Sequence, residues 1–310
     1  MPRITDPTSY RAAQLAALAP WGTLPSALAT LALVALALTG SGRQRLLSAL
    51  LTVGTAALTA LHLSWLAPLW MGATPVAAPG PGITVMSMNF EYGDVRNLTR
   101  TATESHVDIL VLLDMSPDSY AAVMSSDLPS RYAYSDGTGQ EPSRTIVLSR
   151  FPLTHELMIT PGGSSRLYSV DAPGLGPLRL AAVHPAPPYI DGTRTWHVGL
   201  GMIADALSSA RAANGLPLVA AGDFNATADH RPFRCLLART DLRDAVEQVN
   251  GGYQPTFDAS GTRHWGIPLP PLVQIDHILT SAELAPVFVN TVDVTGADHR
   301  AVIAQLALAE

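Results

Sequence analysis

Gly222-Asp223-Phe224-Asn225 sets a carboxylate and a carboxamide two residues apart, and Asp298-His299 follows far downstream. An Asp-x-Asn pair and an Asp-His pair together supply oxygen ligands, a neutral donor and a base. That set can hydrolyse a phosphate ester with the help of a metal ion. Such chemistry needs rigid delivery. Leu216-Pro217-Leu218-Val219-Ala220-Ala221 reads as a buried strand leading to the first pair, and residues 286–294 form a β-like stretch leading to the second. Four more apolar runs place a polar group at or near a strand end. Residues 85–89 end in the Asn89 amide, and residues 108–114 end in the Asp114 carboxylate. Residues 181–185 carry His184, and residues 274–279 carry Asp276.

Any one of these motifs is weak, but six in this order are specific. Together they resemble the endonuclease/exonuclease/phosphatase superfamily, which includes DNase I-like nucleases, neutral sphingomyelinases and inositol polyphosphate 5-phosphatases. The resemblance runs from about residue 83 to the C-terminus. It implies a four-layered α/β sandwich of two packed mixed β-sheets flanked by helices, with the site at one edge between the sheets. Several strands are apolar on both faces, which suits that packing.

The resemblance also implies roles. His299 is the acid–base centre, held in one tautomer by Asp276 rather than by its neighbour Asp298. Asp114 and Asp298 are metal carboxylates, with Asn89 as a neutral oxygen donor, and hard oxygen ligands favour Mg²⁺ or Mn²⁺. Asp223 orients the attacking water or contacts the leaving-group side. Asn225 and His184 donate to phosphate oxygens as charge builds. At position 114 the family usually has Glu. Asp is one methylene shorter, so the ion sits closer to this strand or a water intervenes. His277 should face away from Asp276 along the strand and reads as structural. His155, His197, His230 and His264 stand at no telling spacing. Arg144 and Arg150 read as strand-end or surface residues, with phosphate binding as the alternative.

The elements ahead of this region have a different character. The chain is 47% hydrophobic and 14% charged, and the imbalance is local. Residues 12–42 and 46–90 carry no Asp, Glu, Lys or Arg, and each run exceeds the roughly 20 apolar residues that cross a bilayer. Residues 1–71 therefore read as a membrane region with spans at 21–39 and 47–70. Residues 72–82, rich in Pro, Gly and Ala, read as a semi-extended tether to a catalytic domain at 83–310. Arg43 and Arg45 fall in the expected connection between the spans. The positive-inside rule then puts that connection in the cytoplasm and the catalytic domain outside, although Arg3 and Arg11 pull the other way. A cleaved signal peptide followed by a buried helix is the competing reading.

Lysine is absent, and Cys235 is the single cysteine. Without Arg3, Arg11, Arg43, Arg45 and Asp6, 15 basic and 24 acidic residues remain. That balance argues against tight, sequence-independent binding of nucleic acid. Residues 185–190 (PAPPYI) follow His184, and residues 265–273 (WGIPLPPLV) precede Asp276. If both rim the pocket, the expected substrate is an amphiphilic phosphoester such as a lipid head group, with nucleic acid as the alternative. The function expected is a membrane-anchored, metal-dependent phosphodiesterase or phosphatase. The competing function is a weakened relative that binds a phosphorylated ligand or a protein partner.

Overall fold

A computed structural model describes residues 3, 5–138, 144–261, 263–264 and 267–310. The chain starts with a short helix, Tyr10–Ala17 (α1), capped by the Ser9 hydroxyl on the Ala12 amide. A 3₁₀ turn at Ala19–Gly22 leads into Thr23–Thr39 (α2) and Gly42–Leu66 (α3), which pack against each other. Ala19–Thr39, counted from the 3₁₀ turn, and Gly42–Leu66 are long and apolar enough to cross a membrane. Their leucines and valines are largely uncovered, with Leu31, Leu38 and Val53 each at least two-thirds exposed. Apolar surface on that scale marks a membrane or protein contact.

The hairpin differs from expectation in one respect. Its connection is only Gly40 and Ser41, so Arg43 and Arg45 lie in the first turn of α3. Gly42 opens that helix at φ +54°, a conformation that glycine reaches without a Cβ clash. Pro68 begins a separate short helix, Pro68–Met71 (α4), so the second apolar run is not one continuous span.

Residues 72–82 are not a free tether. The Gly72 amide donates to Asn250 Oδ1, and the Ala78 amide donates to the Leu308 carbonyl. Backbone pairing of residues 77 and 78 at the C-terminal end of the last strand satisfies groups that a loose linker would leave to water.

Beyond it, Ile83–Asn89 (β1), Ile109–Leu113 (β2), Tyr134–Thr138 (β3) and Thr145–Ser149 (β4) begin one sheet. Leu153–Met158 (β5), Arg166–Ala172 (β6), Gly176–Val183 (β7), Leu218–Asp223 (β8) and Arg243–Asp244 (β9) begin a second. Arg263–His264 (β10) and Ile267–Pro268 (β11) form a small ribbon. Asp276–Thr280 (β12) joins the second sheet, and Leu284–Val292 (β13) and Ala301–Leu308 (β14) complete the first. The orders are β13-β14-β1-β2-β4-β3 and β5-β6-β7-β8-β12-β9. Both sheets are mixed, because β1 runs parallel to β2 and β7 parallel to β8 among antiparallel neighbours.

Strand alternation builds the layers. Val85, Ile109 and Val111 face the other sheet, where Leu180, Val219 and Ile278 meet them. The intervening Met86, Met88, Leu110 and Leu112 turn outward. They pack on Val95–Glu104 (α5) and Pro117–Met124 (α6) through Leu98, Ala102 and Val123. On the second sheet, Ala181, Val183 and Ala220 turn toward Arg194–Asn214 (α7) and Arg231–Thr240 (α8). A last short helix, Ala245–Gln248 (α9), follows β9. The result is the expected helix–sheet–sheet–helix sandwich.

Candidate active site

The polar strand ends meet at one edge of the sandwich. Asn89 is the last residue of β1, Asp223 the last of β8 and Asp276 the first of β12. Asp276 and Asp223 are direct ladder partners. The glycine before Asp223 is required by close packing, since a Cβ at Gly222 would lie 1.9 Å from the Val183 carbonyl oxygen. After Asp223 the chain turns sharply. The Asn225 amide donates to Asp223 Oδ1 at 2.7 Å, and Asn225 adopts φ +50°. Asn and Asp tolerate that left-handed region better than bulkier residues. Asp114 adopts φ +51° just after β2, so both turns depend on residue type.

Asp223 sits at the centre of the polar network. Asn89 Nδ2 donates to its Oδ2 at 3.2 Å, and the Nε2 atoms of His184 and His299 lie 3.8 and 3.9 Å from that oxygen. His299 Nδ1 lies 2.8 Å from Asp276 Oδ2, the orientation expected of the pair. Among the described residues, Asp223, Asp276 and His299 are close enough together for their ligating atoms to share one ion. Burial favours the neutral form of His299, but Asp276, then Asp223 and Asp298, outweigh it and raise the pKa to about 10. Burial raises the Asp223 pKa, and the adjacent Asp276 charge adds to the shift.

Asp114 and Asp298 line the same cavity as Asn89, His184, Asn225 and His299. Asp276 stands behind His299, fully buried. All eight residues named from the sequence thus converge on one cavity of about 860 Å³. Two further residues join them. Arg144 Nη1 pairs with Asp114 Oδ1 at 2.9 Å, and Nη2 reaches Glu91 Oε1 at 3.4 Å. Glu91 carries no motif of its own. Its only signal in the sequence is its place two residues after Asn89, on the same strand-end loop.

This donor set fits a divalent cation. Asn89 is only 5% exposed, and its Oδ1 has no hydrogen-bond partner. Asp298 Oδ1 is likewise buried without one. Orphaned buried acceptors beside an excess of carboxylates call for a positive ligand.

His277 is structural, as its alternation along the strand indicated. It is buried on the far face, with Nδ1 on Asp244 Oδ2 at 2.6 Å and Nε2 on the Ala226 carbonyl at 2.9 Å. Arg150 pairs with Asp108 on the surface, away from the site.

One wall of the cavity comes from outside the sandwich. Tyr10, Ala13, Gln14, Ala17 and Leu18, on or just after α1, line it together with residues 185–190 and 269–273. Of the expected lip at 265–273, Trp265 and Gly266 lie outside the described residues. His230 holds α1 in place. Its Nδ1 accepts from the Thr227 amide, so its Nε2–H donates to the Ala13 carbonyl at 2.9 Å. Burial lowers the His230 pKa to about 4, so both bonds persist at neutral pH. Thr193 Oγ1 donates to the Pro7 carbonyl, and Arg3 pairs with Asp229.

Comparison with known proteins agrees with this fold. No curated protein matches the chain at a significant level. The solved structures it resembles include an endonuclease/exonuclease/phosphatase from Beutenbergia cavernae, with 20% identity over 74% of this chain and 72% of that one, at a TM-score of 0.57. They include a mannosyl-6-phosphatase from Bacteroides thetaiotaomicron, with 13% identity over 73% and 100% and a TM-score of 0.56. The human Nocturnin catalytic domain with bound sulfate shares 14% identity over 74% and 94%, with a TM-score of 0.57. At such identities these likenesses establish the fold alone. The model of the Endonuclease/Exonuclease/phosphatase family matches residues 86–299, which contain every site residue read from the sequence. By that match the chain belongs to the endonuclease/exonuclease/phosphatase family.

Proposed function

We propose that this chain is a membrane-anchored, divalent-metal-dependent phosphoesterase. The observation that carries the reading is the relay from Asp276 through His299 toward Asp223, set beside Asn89 at one cavity floor. Asp276 fixes the His299 ring so that Nε2 points at the reacting centre. Asp223 holds and orients a water near that nitrogen. Asn225 and His184 donate to phosphate oxygens from the opposite side. Glu91, Asp114, Asp298 and Asn89 Oδ1 would hold Mg²⁺ or Mn²⁺, which when bound supplies positive charge to the phosphoryl oxygens. The positive charge of such a cation would also lower the His299 pKa, directly and by offsetting Asp298, against the pull of Asp276 and Asp223, and so would favour the imidazole that accepts a proton.

The anchor is the α2–α3 hairpin, with the catalytic domain outside the cytoplasm. Support comes from Arg43 and Arg45 at the tip of the hairpin. Arg3, whose charge opposes this orientation when counted along the sequence, is paired with Asp229 and stacks over Trp65 at 4.9 Å. A charge held inside the folded domain is a poor topological signal.

The acidic domain disfavours nucleic acid as substrate, and the apolar lining from residues 185–190 and 269–273 favours a phosphorylated amphiphile. Metal-dependent release of p-nitrophenol from a simple phosphodiester tests the reaction, with His299→Ala as control. Equal release from both proteins would exclude it. The second reading, a weakened domain that binds a phosphorylated ligand or protein partner, draws on Arg144. Its guanidinium bridges Asp114 and Glu91, two of the carboxylates assigned to the cation.

A further inference from the structure

The wall that α1 builds has no counterpart in the catalytic machinery, and its residues precede the family-matched region. It is also mostly apolar. Ala13, Ala17 and Leu18 line the cavity together with residues 185–190 and 269–273. From Leu18 the chain needs only the 3₁₀ turn Ala19–Gly22 to reach α2. At about 2 Å per residue, the cavity wall lies on the order of 10 Å from the start of the first span. Trp21 sits in that turn, 43% exposed, and its indole Nε1 donates to the Leu272 carbonyl at 2.8 Å. Tryptophan belongs at a bilayer–water interface, and here it is bonded to a residue that lines the cavity. Trp21 also packs edge-on against Tyr253, whose hydroxyl donates to the same carbonyl.

The rim between cavity and hairpin is apolar and uncovered, with Leu18 and Leu269 both exposed. Tyr189 and Ile190 are exposed too, at the other end of α1, where the Tyr189 ring meets Tyr10 edge-on at 5.9 Å. Among the described lining residues Arg144 is the one arginine, and it already pairs with Asp114 and Glu91. A polyanionic strand would find no basic track along this wall, whereas a hydrocarbon chain would find a continuous apolar path from the phosphate-reading floor to the bilayer.

From this continuity we infer that α1 and residues 269–273 form an acyl-chain subsite. The substrate would be a membrane lipid phosphoester, its head group on the cavity floor and its chain leaving past Leu18 and Leu269 into the membrane. This inference rests on the phosphoesterase and membrane readings above. It adds a role for the N-terminal segment: residues 10–18 select for lipid.

The test uses the full chain in phospholipid nanodiscs and an alkylphosphonate probe carrying a diazirine in mid-chain. Photolysis is expected to label peptides containing Leu18 and residues 269–273. Unlabelled long-chain alkylphosphonate should compete, and methylphosphonate at the same concentration should not. Leu18→Glu and, separately, Leu269→Glu should each reduce this labelling about fivefold or more, because a carboxylate in the path must be desolvated by the chain. Labelling confined to α2 and α3, or unchanged in both variants, would overturn the subsite. Metal-dependent turnover of a soluble phosphodiester by the same sample is read in parallel. Turnover without cavity labelling would sink the subsite alone, and labelling without turnover would sink only the phosphoesterase reading.

Discussion

Asp223 and Asp276 face each other as partners on adjacent antiparallel strands, two buried carboxylates on one rung of the ladder. Like charges placed this way oppose folding, and burial makes the repulsion harder to screen. The hydrogen bonds from the Asn225 amide and Asn89 to Asp223, and the pairing of Asp276 with His299, offset part of that cost. Asp223→Asn should therefore raise stability by about 1 kcal/mol, as site-relaxing substitutions often do. It should also lower turnover by about 10²–10⁴-fold. Thermal unfolding and initial rates on one preparation check both. A variant that melts earlier and keeps its activity would mean the carboxylate is structural.

His299 gives the expected pH dependence of the metal-free protein. Its folded pKa, about 10, lies above the ordinary value of 6.5. The imidazolium therefore contributes its full stability below about pH 6.5, and that contribution is lost as the pH rises through about 10. In EDTA, the gap in melting temperature between wild type and His299→Gln should be widest near pH 6 and shrink steadily toward pH 10. A gap that widens with pH would contradict the charge pairing with Asp276.

Metal affinity should depend on Glu91 as well as Asp114. Glu91→Gln removes one carboxylate charge without changing shape and should weaken Mn²⁺ binding by about tenfold or more. Asp114→Glu restores the longer side chain usual in the family and should tighten it. Calorimetric titration of Mn²⁺ measures both without any substrate. Unaltered affinity in both variants would place the ion elsewhere.

Topology should read the same from both ends of the chain. With the hairpin in a membrane, residues 5–18 and the catalytic domain would lie on one side, because α2 and α3 pack as a hairpin and α1 is bonded to His230. In a Cys235→Ser background, Thr8→Cys and Glu310→Cys should react equally with an impermeant maleimide added outside cells, and Ser41→Cys should not. Labelling of Ser41→Cys alone would reverse the orientation.

The site was legible because its residues stand at the ends of apolar runs. Strand period and polarity put Asn89, Asp223 and Asp276 on strands, and the resemblance to the family implied that they converge at one edge of the sandwich. What stayed hidden depends on long-range packing. Glu91 has no spacing signature and joins the site only through the turn after β1. The cavity wall formed by α1 could not be foreseen, because a short alanine-rich helix gives no hint of its partner; His230 and Thr193, far along the chain, supply it. The segment at 72–82 looked free for a similar reason, since pairing with Leu308 leaves no mark on Pro/Gly composition.

The pairing of residues 72–82 with the last strand, together with the clamp on α1, has a mechanical outcome. Two separate attachments straddle the hairpin, so the catalytic body cannot swivel about a single joint. With the hairpin in a bilayer, it would meet the lipid surface at one height and one tilt. Its encounters with lipid would then be confined to two dimensions.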